Sequence, residues 1–486
     1  MLFNSLTYLL FLLIAWPLVV MGTARVRNGT ILIGSLLFYG FWRFDFLLLV
    51  LFTAWVDYTA GNAIGQSSSP RWRRAWLVGS LGMNLVVLGF FKYTYFLADS
   101  ASGLSHLLGF SWSLDMREVL DIVLPLGISF YTFQSMSYTI DVYRGVQAPV
   151  RGFGLFLCYV MLWPQLVAGP ILRTSEVVPQ LQSYRPPVRG EVSYGLEEIL
   201  AGLFKKLFLA DTIAPIVDAG FQIPTSRLGT LDVWALAFAF GFQIYYDFSG
   251  YSQIALGSAR ILGFQFPRNF NWPYLATSPR DFWKRWHISL STWIRDYLYL
   301  PLQGVAFRKS AQPSAARPDE TGEFRRTLSL FLTWAIMGLW HGASWTFVAW
   351  GVWHATLVFA HRLIAPSCSR LPRGVRVIGG WSITFPLSML GWIYFRAQNM
   401  TDANAMVLRA FDVRSISTLS LRENDYLTIF AYTIGFLLLA GAIRLHQLGY
   451  IPKWVRYIAL FAAQVVMLTV VFLLLRQAKS FIYFNF

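Results

Sequence analysis

Thr327-Leu-Ser-Leu-Phe-Leu-Thr-Trp-Ala-Ile-Met-Gly-Leu-Trp-His341 is an apolar run that ends on an imidazole, and it continues as Gly342-Ala343-Ser344-Trp345. Without His341 it would read simply as a membrane-spanning helix. Arg326 is the last charge before the run, and 341 − 326 gives 15 residues to the histidine. At about 1.5 Å of rise per residue that is roughly 22 Å, past the midplane of a hydrocarbon core about 30 Å thick. An ionisable group at that depth is costly unless it faces a cavity or a partner, so His341 is a functional candidate. It is reachable only through a tunnel or funnel in the protein.

The rest of the chain agrees with a membrane setting. Of its 486 residues 56% are hydrophobic and 13% charged, where a soluble protein carries nearer a quarter charged. Apolar segments recur from Leu2 to Tyr483 with no long polar linker, which predicts one integral-membrane domain over 1–486. The net charge of +16 does not point to nucleic acid. Its Lys and Arg cluster in short loops such as Arg71, Arg73 and Arg74, or Arg370, Arg373 and Arg376, as the positive-inside rule expects. Cys158 and Cys368 form neither a disulfide framework nor a metal-ligand spacing. The first segment lacks a basic leader and is too long for a signal-peptide core, so it reads as a retained helix.

Twelve spans are predicted, near 2–22, 29–41, 45–64, 75–97, 119–143, 152–172, 232–256, 327–345, 347–364, 377–396, 426–444 and 457–476. The second is too short to cross unaided. Residues 173–226 mix charges with Leu, Phe and Ile and predict an interfacial amphipathic helix. Residues 267–304, rich in Trp, Tyr and Arg, predict re-entrant or interfacial helices on the inner side. The basic loops 305–326, 365–376 and 445–456 fall inside, which puts 397–425 and the tail 480–486 outside.

Three further stretches bear on chemistry. Asp281-Phe-Trp-Lys-Arg-Trp-His287 mixes cations, indoles and an imidazole. It reads either as the cytoplasmic mouth of a cavity or as an interfacial helix anchored by Trp and Arg, with His287 a surface hydrogen-bonder. Asp247, in Tyr245-Tyr-Asp-Phe-Ser-Gly250, must be paired or neutral in an apolar helix, and an interhelical structural role is the expectation for it, as for Gln134 and Asp141. His354 and His361 are seven residues apart, not the four of a helical metal pair, and with His106 and His446 they are expected to be structural. The chain carries no Walker loop, GxSxG or HExxH.

Taken together, Ile128-Ser-Phe-Tyr-Thr-Phe133, Ile140-Asp-Val-Tyr-Arg-Gly145, Ala168-Gly-Pro-Ile-Leu-Arg173, Tyr246-Asp-Phe-Ser-Gly-Tyr-Ser252, Phe270-Asn-Trp-Pro-Tyr274, Phe282 to Tyr299, and Trp340-His-Gly342 occur in one order over nearly the whole chain. In these segments the sequence resembles the bacterial membrane-bound O-acyltransferases. The nearest branch is the membrane subunit of alginate O-acetylation and its relatives for cellulose and peptidoglycan. The resemblance implies an all-α polytopic fold, a ring of about 10–12 transmembrane helices around a tunnel. It assigns His341 to the catalytic histidine and His287 to a second active-site histidine on the inner side. Gln253 departs from the alginate branch, which carries Asp there, and leaves the acceptor polysaccharide open. Some relatives end in, or pair with a small subunit that ends in, an aromatic F-x-Y-x-x-F motif whose tyrosine is proposed to carry the acyl group. Phe481-Ile-Tyr-Phe-Asn-Phe486 matches it, which makes Tyr483 a candidate carrier against the alternative of an aromatic interface belt.

The expectation is therefore an O-acetyltransferase of the bacterial inner membrane. Acetyl-CoA is its donor substrate, held in part by Lys284 and Arg285 at a basic inner mouth, and no metal or permanent cofactor is expected. A periplasmic polysaccharide acetyltransferase would be its partner, and lipid its surroundings. Two alternatives stand beside it. One is D-alanyl transfer to teichoic acid, which the Arg-rich composition disfavours. The other is a non-enzymatic channel or export scaffold, which leaves the Trp340-His341 pair and the tyrosine motif unexplained.

Overall fold

The structure is a computed structural model that describes residues 1–110, 112–166, 169–305, 322–475 and 481. Among these residues the regular structure is entirely helical. Six helices among the described residues are long and apolar enough to cross a membrane: Phe46–Gln66, Pro70–Leu107, Trp345–Cys368, Arg373–Arg396, Glu423–Gln447 and Lys453–Leu474.

The other expected spans are shorter, more polar or broken. The first is Leu6–Val20, 15 residues with Pro17 inside. Expected span 119–143 is irregular until Gly127 turns the chain at φ 71° and starts helix Ile128–Arg144. Expected span 152–172 yields only the nine-residue helix Phe153–Met161. The last two read as spans because they are apolar, but most of their helical residues are buried against protein, whereas Leu6–Val20 keeps Leu6, Leu10, Leu13, Ile14 and Leu18 exposed. Residues 173–226 form three helices, Thr174–Gln182, Arg189–Phe204 and Asp211–Gly220, in place of one amphipathic helix, with a π-helical turn at Lys205–Ala210 joining the last two.

Thr230–Ile261 is the central helix. It is 32 residues long, and 26 of them are buried, so its neighbours are protein on nearly every side. Lys453–Leu474 is the opposite case, with Val471 its one buried residue, as a lipid-facing helix would be. Arg189–Phe204 packs against the central helix through two glycine pairs, seven residues apart on each helix. A Cβ on Gly202 would lie 2.6 Å from the Gly250 carbonyl, and one on Gly257 would lie 2.4 Å from the Gly195 carbonyl. Only hydrogen at these positions lets the two backbones touch.

That proximity brings a buried charge cluster together. Lys206 Nζ lies 2.5 Å from Asp247 and 2.9 Å from Asp211. Asp247 is thus paired across helices, as the sequence requires of a carboxylate in an apolar helix. Gln134 donates to the Tyr159 carbonyl at 2.8 Å, and Asp141 accepts from the Tyr297 hydroxyl at 2.7 Å, both interhelical.

Candidate active site

His341 is the last residue of helix Glu323–His341 and is 3% exposed. Two glycines let its helix lie against Trp345–Cys368. A Cβ on Gly338 would meet the Phe347 carbonyl at 2.1 Å, and one on Gly342 would meet the Phe347 ring at 2.1 Å. The chain then reverses, and Ser344 caps the next helix by accepting from the Thr346 amide. The Trp-His-Gly triplet therefore ends the helix, places the candidate imidazole and supplies a clearance in sequence. Gly342→Ala is expected to lower stability by about 1–3 kcal/mol through overpacking and to depress transfer with it, read by thermal unfolding in detergent beside the activity assay. Unchanged melting would show that Phe347 gives way freely.

The His341 ring stands edge-on to Trp340, Trp350 and Phe395, with centroids 4.9, 5.0 and 5.4 Å away. The His287 ring centroid is 6.5 Å from it, at 59° between planes. At that spacing a single reacting group can be within hydrogen-bond reach of both rings. By sequence alone His287 is either a surface hydrogen-bonder or a site residue. The structure buries it completely and sets it beside His341, which rules out the surface role.

The tautomer of His287 follows from its neighbours. Asn269 Oδ1 accepts from the Ser289 amide at 3.2 Å and from the Ser289 hydroxyl at 3.0 Å. The same oxygen lies 3.1 Å from His287 Nδ1, so Nδ1 carries the proton and donates. Nε2 is left as a lone pair with no hydrogen-bond partner among the described residues. The backbone here is held from both sides, with the Ile288 amide donating to the Asn269 carbonyl and the Asn271 amide to the Arg285 carbonyl, each 2.9 Å. His287 and Trp272 are the two non-glycine residues with positive φ among those described, at 41° and 49°. Strain of this kind persists where surrounding contacts over-determine it, typically at functional sites.

A cavity of about 670 Å³ lies next to the segments that carry the pair. Arg280, Lys284, Arg295, Arg326 and Arg362 line it, no acidic residue is among the described lining residues, and Trp334, Leu330 and Met337 supply apolar wall. Ile288, next to His287, and Met337, one helical turn before His341, also border it. Of the two cations expected at the mouth, Lys284 lines this cavity. Arg285 is not among the lining residues; it pairs with Asp281 at 3.0 Å. His361 lines the cavity as well. His354 sits in an aromatic box, accepting at Nδ1 from the Trp283 indole at 3.3 Å and stacked on Phe282.

Sequence reasoning missed Asn269 and Lys92. Nothing in the spacing pairs residue 269 with 287. Lys92 did carry a signal, a charge inside the apolar run 75–97. Tyr483 lies outside the described residues. Phe481 is described and fully buried, stacked on Tyr251 at 4.5 Å and 5.7 Å from Phe248. Phe248 in turn makes an edge contact with His287 at 4.7 Å.

Comparison with known proteins decides the family. Residues 147–401 match the model of the membrane-bound O-acyltransferases. A probable alginate O-acetylase of Azotobacter vinelandii is 38% identical over 85% of this chain and 78% of its own length. The chain belongs to the membrane-bound O-acyltransferase family. It is a multi-pass membrane enzyme and an O-acyltransferase. A second probable alginate O-acetylase, from Pseudomonas aeruginosa, is 38% identical over 90% of this chain and 80% of its own length. A peptidoglycan O-acetyltransferase of Helicobacter pylori is 34% identical over 77% and 71%. In this O-acyltransferase His287 and His341 fall inside the matched region, while the aromatic tail lies beyond it.

Proposed function

We propose that this O-acyltransferase takes acetyl from acetyl-CoA at the cytoplasmic face of the bacterial inner membrane and delivers it for O-acetylation of a polysaccharide outside. The observation that carries the reading is the buried His287–His341 pair, 6.5 Å apart, near a cavity that Ile288 and Met337 border and that has five cationic residues in its lining. Guanidinium and ammonium groups match the diphosphate and 3′-phosphate of the donor. The apolar wall of Leu330, Trp334 and Met337 suits its pantetheine arm. The names of the relatives, which act on alginate and on peptidoglycan, support acetyl and a polysaccharide.

In the reaction an acceptor hydroxyl attacks the thioester carbonyl. His341 takes the hydroxyl proton as general base, the carbon–sulfur bond breaks, and the proton passes to the departing thiolate as CoA–SH. His287 positions the donor, its Nε2 lone pair accepting a hydrogen bond from an amide N–H of the pantetheine arm. Residues 1–486 act as one catalytic unit, with the 480–486 tail part of it. The acceptor hydroxyl is that of Tyr483, and a periplasmic acetyltransferase then moves acetyl from the tyrosyl ester to the polymer. Burial of Phe481 one ring away from His287 supports that route. From Phe481 to Tyr483 is two residues, at most about 7 Å of extended chain.

Radiolabelled acetyl-CoA and purified protein test the reading. Thioester cleavage with label on the protein is expected, and mass spectrometry should find acetyl on Tyr483 when no onward acceptor is present. Tyr483→Phe removes one oxygen and keeps the aromatic ring, so it should abolish polymer acetylation and the label. Full activity of Tyr483→Phe would leave the motif an anchor and move the acceptor hydroxyl to a separate protein. Absence of any acetyl-CoA cleavage by the wild type would leave a channel or scaffold as the better account.

A further inference from the structure

The long helix Pro70–Leu107 is broken at Gly89–Tyr93 by one π-helical turn. A π-bulge inserts an extra residue into the turn, re-aims the side chains around it, and is frequent at functional sites. Here it turns two consecutive polar side chains onto the end of the histidine helix. Tyr93 donates its hydroxyl to the Leu339 carbonyl at 2.8 Å. Lys92 Nζ donates to the Trp340 carbonyl at 2.6 Å and to the His341 carbonyl at 3.1 Å, and its third contact is Ser129 Oγ at 3.5 Å. These are carbonyls a helix leaves unbonded at its C-terminus, where a cation is also favoured by the helix dipole.

Lys92 pairs with no carboxylate among the described residues; its acceptors are two carbonyls and a hydroxyl. A helix end needing only its carbonyls satisfied could use a neutral donor, as Tyr93 does one residue earlier. An ammonium in an apolar helix is a costly way to do the same thing. What distinguishes its location is the residue it holds. The two carbonyls it takes flank the Cα of His341, whose ring must meet His287 at 6.5 Å while wedged between Trp350 and Phe395. Ser129, the third contact, sits beside Phe130, whose ring stands 6.3 Å from that of His287. Lys92 thus ties three elements of the site at one atom.

We infer that Lys92 is a positioning residue. By holding the carbonyls of Trp340 and His341 it sets the depth and rotation at which the His341 imidazole faces His287. This rests on the reading of His341 as the general base, and the experiment separates the two. Lys92→Met keeps the length and removes every donor. Lys92→Gln keeps two N–H donors without charge. Tyr93→Phe removes the neighbouring donor alone.

With acetyl-CoA as the varied substrate, Lys92→Met should lower kcat about 10- to 100-fold, the order expected when a reacting group is displaced by about an ångström. KM should stay within about twofold, because the cavity lining does not include Lys92. Lys92→Gln should fall between Met and wild type, and Tyr93→Phe should keep kcat near wild type while lowering the melting temperature. Equal behaviour of Lys92→Met and Tyr93→Phe, with melting reduced and kcat unchanged, would overturn the proposal and leave Lys92 an ordinary helix cap. Should Lys92→Met fail to accumulate, Lys92→Gln decides: kcat lowered at least fivefold at constant KM supports positioning, and wild-type kcat refutes it. His341→Ala is assayed in parallel. If it is fully active the general-base reading fails whatever Lys92 does, whereas an inactive His341→Ala beside a fully active Lys92→Met refutes the positioning role alone.

Discussion

His341→Ala is expected to lower acetyl transfer by about 10²- to 10⁴-fold, the usual contribution of a positioned general base. His287 keeps an Nε2 lone pair with no partner among the described residues, but in the proposed reaction it positions the donor, and His354 accepts from Trp283 at its Nδ1. The substitution also removes a ring that Trp340, Trp350 and Phe395 surround, and a ring-to-methyl change in a packed core typically costs about 3–5 kcal/mol. Thermal unfolding must therefore accompany the assay. His341→Asn, which fills more of the space, should be equally inactive and melt closer to wild type. Polymer acetylation near the wild-type level in a folded His341→Asn protein would remove His341 from the chemistry.

His287→Asn is the second large loss, and the choice of asparagine is dictated by the backbone. Position 287 has φ 41°, a left-handed conformation that asparagine adopts more readily than other side-chain-bearing residues. Alanine would confuse lost chemistry with added strain. The folded His287→Asn protein is expected to lose about two orders of magnitude or more in polymer acetylation, on the scale of other acid–base and orienting groups. Because Ile288 borders the cationic cavity, acetyl-CoA cleavage should fall together with transfer to the polymer. If cleavage of acetyl-CoA stayed at the wild-type rate while only delivery to the polymer failed, His287 would act on the acceptor, and its assignment to donor positioning would be wrong.

Much of this was legible in the residues. Hydropathy marked the chain as a membrane protein, because lipid leaves each exposed segment no choice but a continuous apolar helix. The cost of an imidazole at depth singled out His341, and the same cost required a partner for Asp247, which the structure supplies as Lys206. Lys92 satisfied that rule equally well inside the run 75–97, so its omission was one of reading rather than of information.

Other features could not be read from order along the chain. Ile128–Arg144 and the 32-residue central helix look like ordinary spans, yet both are packed in protein, since hydropathy does not distinguish an apolar residue that faces lipid from one that faces a neighbour. The glycine pairs 195–257 and 202–250 become meaningful only once two helices lie against each other. Asn269 and His287 stand 18 residues apart, and Lys92 lies 249 from His341. Each is brought to its partner by a strained loop or a π-bulge rather than by a regular period. The sequence by itself determined the membrane setting, the helical class and the histidine to examine, because those follow from local transfer energies and from motif order. Only the tertiary structure decided that His287 is buried beside His341, which tautomer it holds and what anchors the pair. Those depend on hydrogen bonds between distant segments, whose geometry no local periodicity encodes.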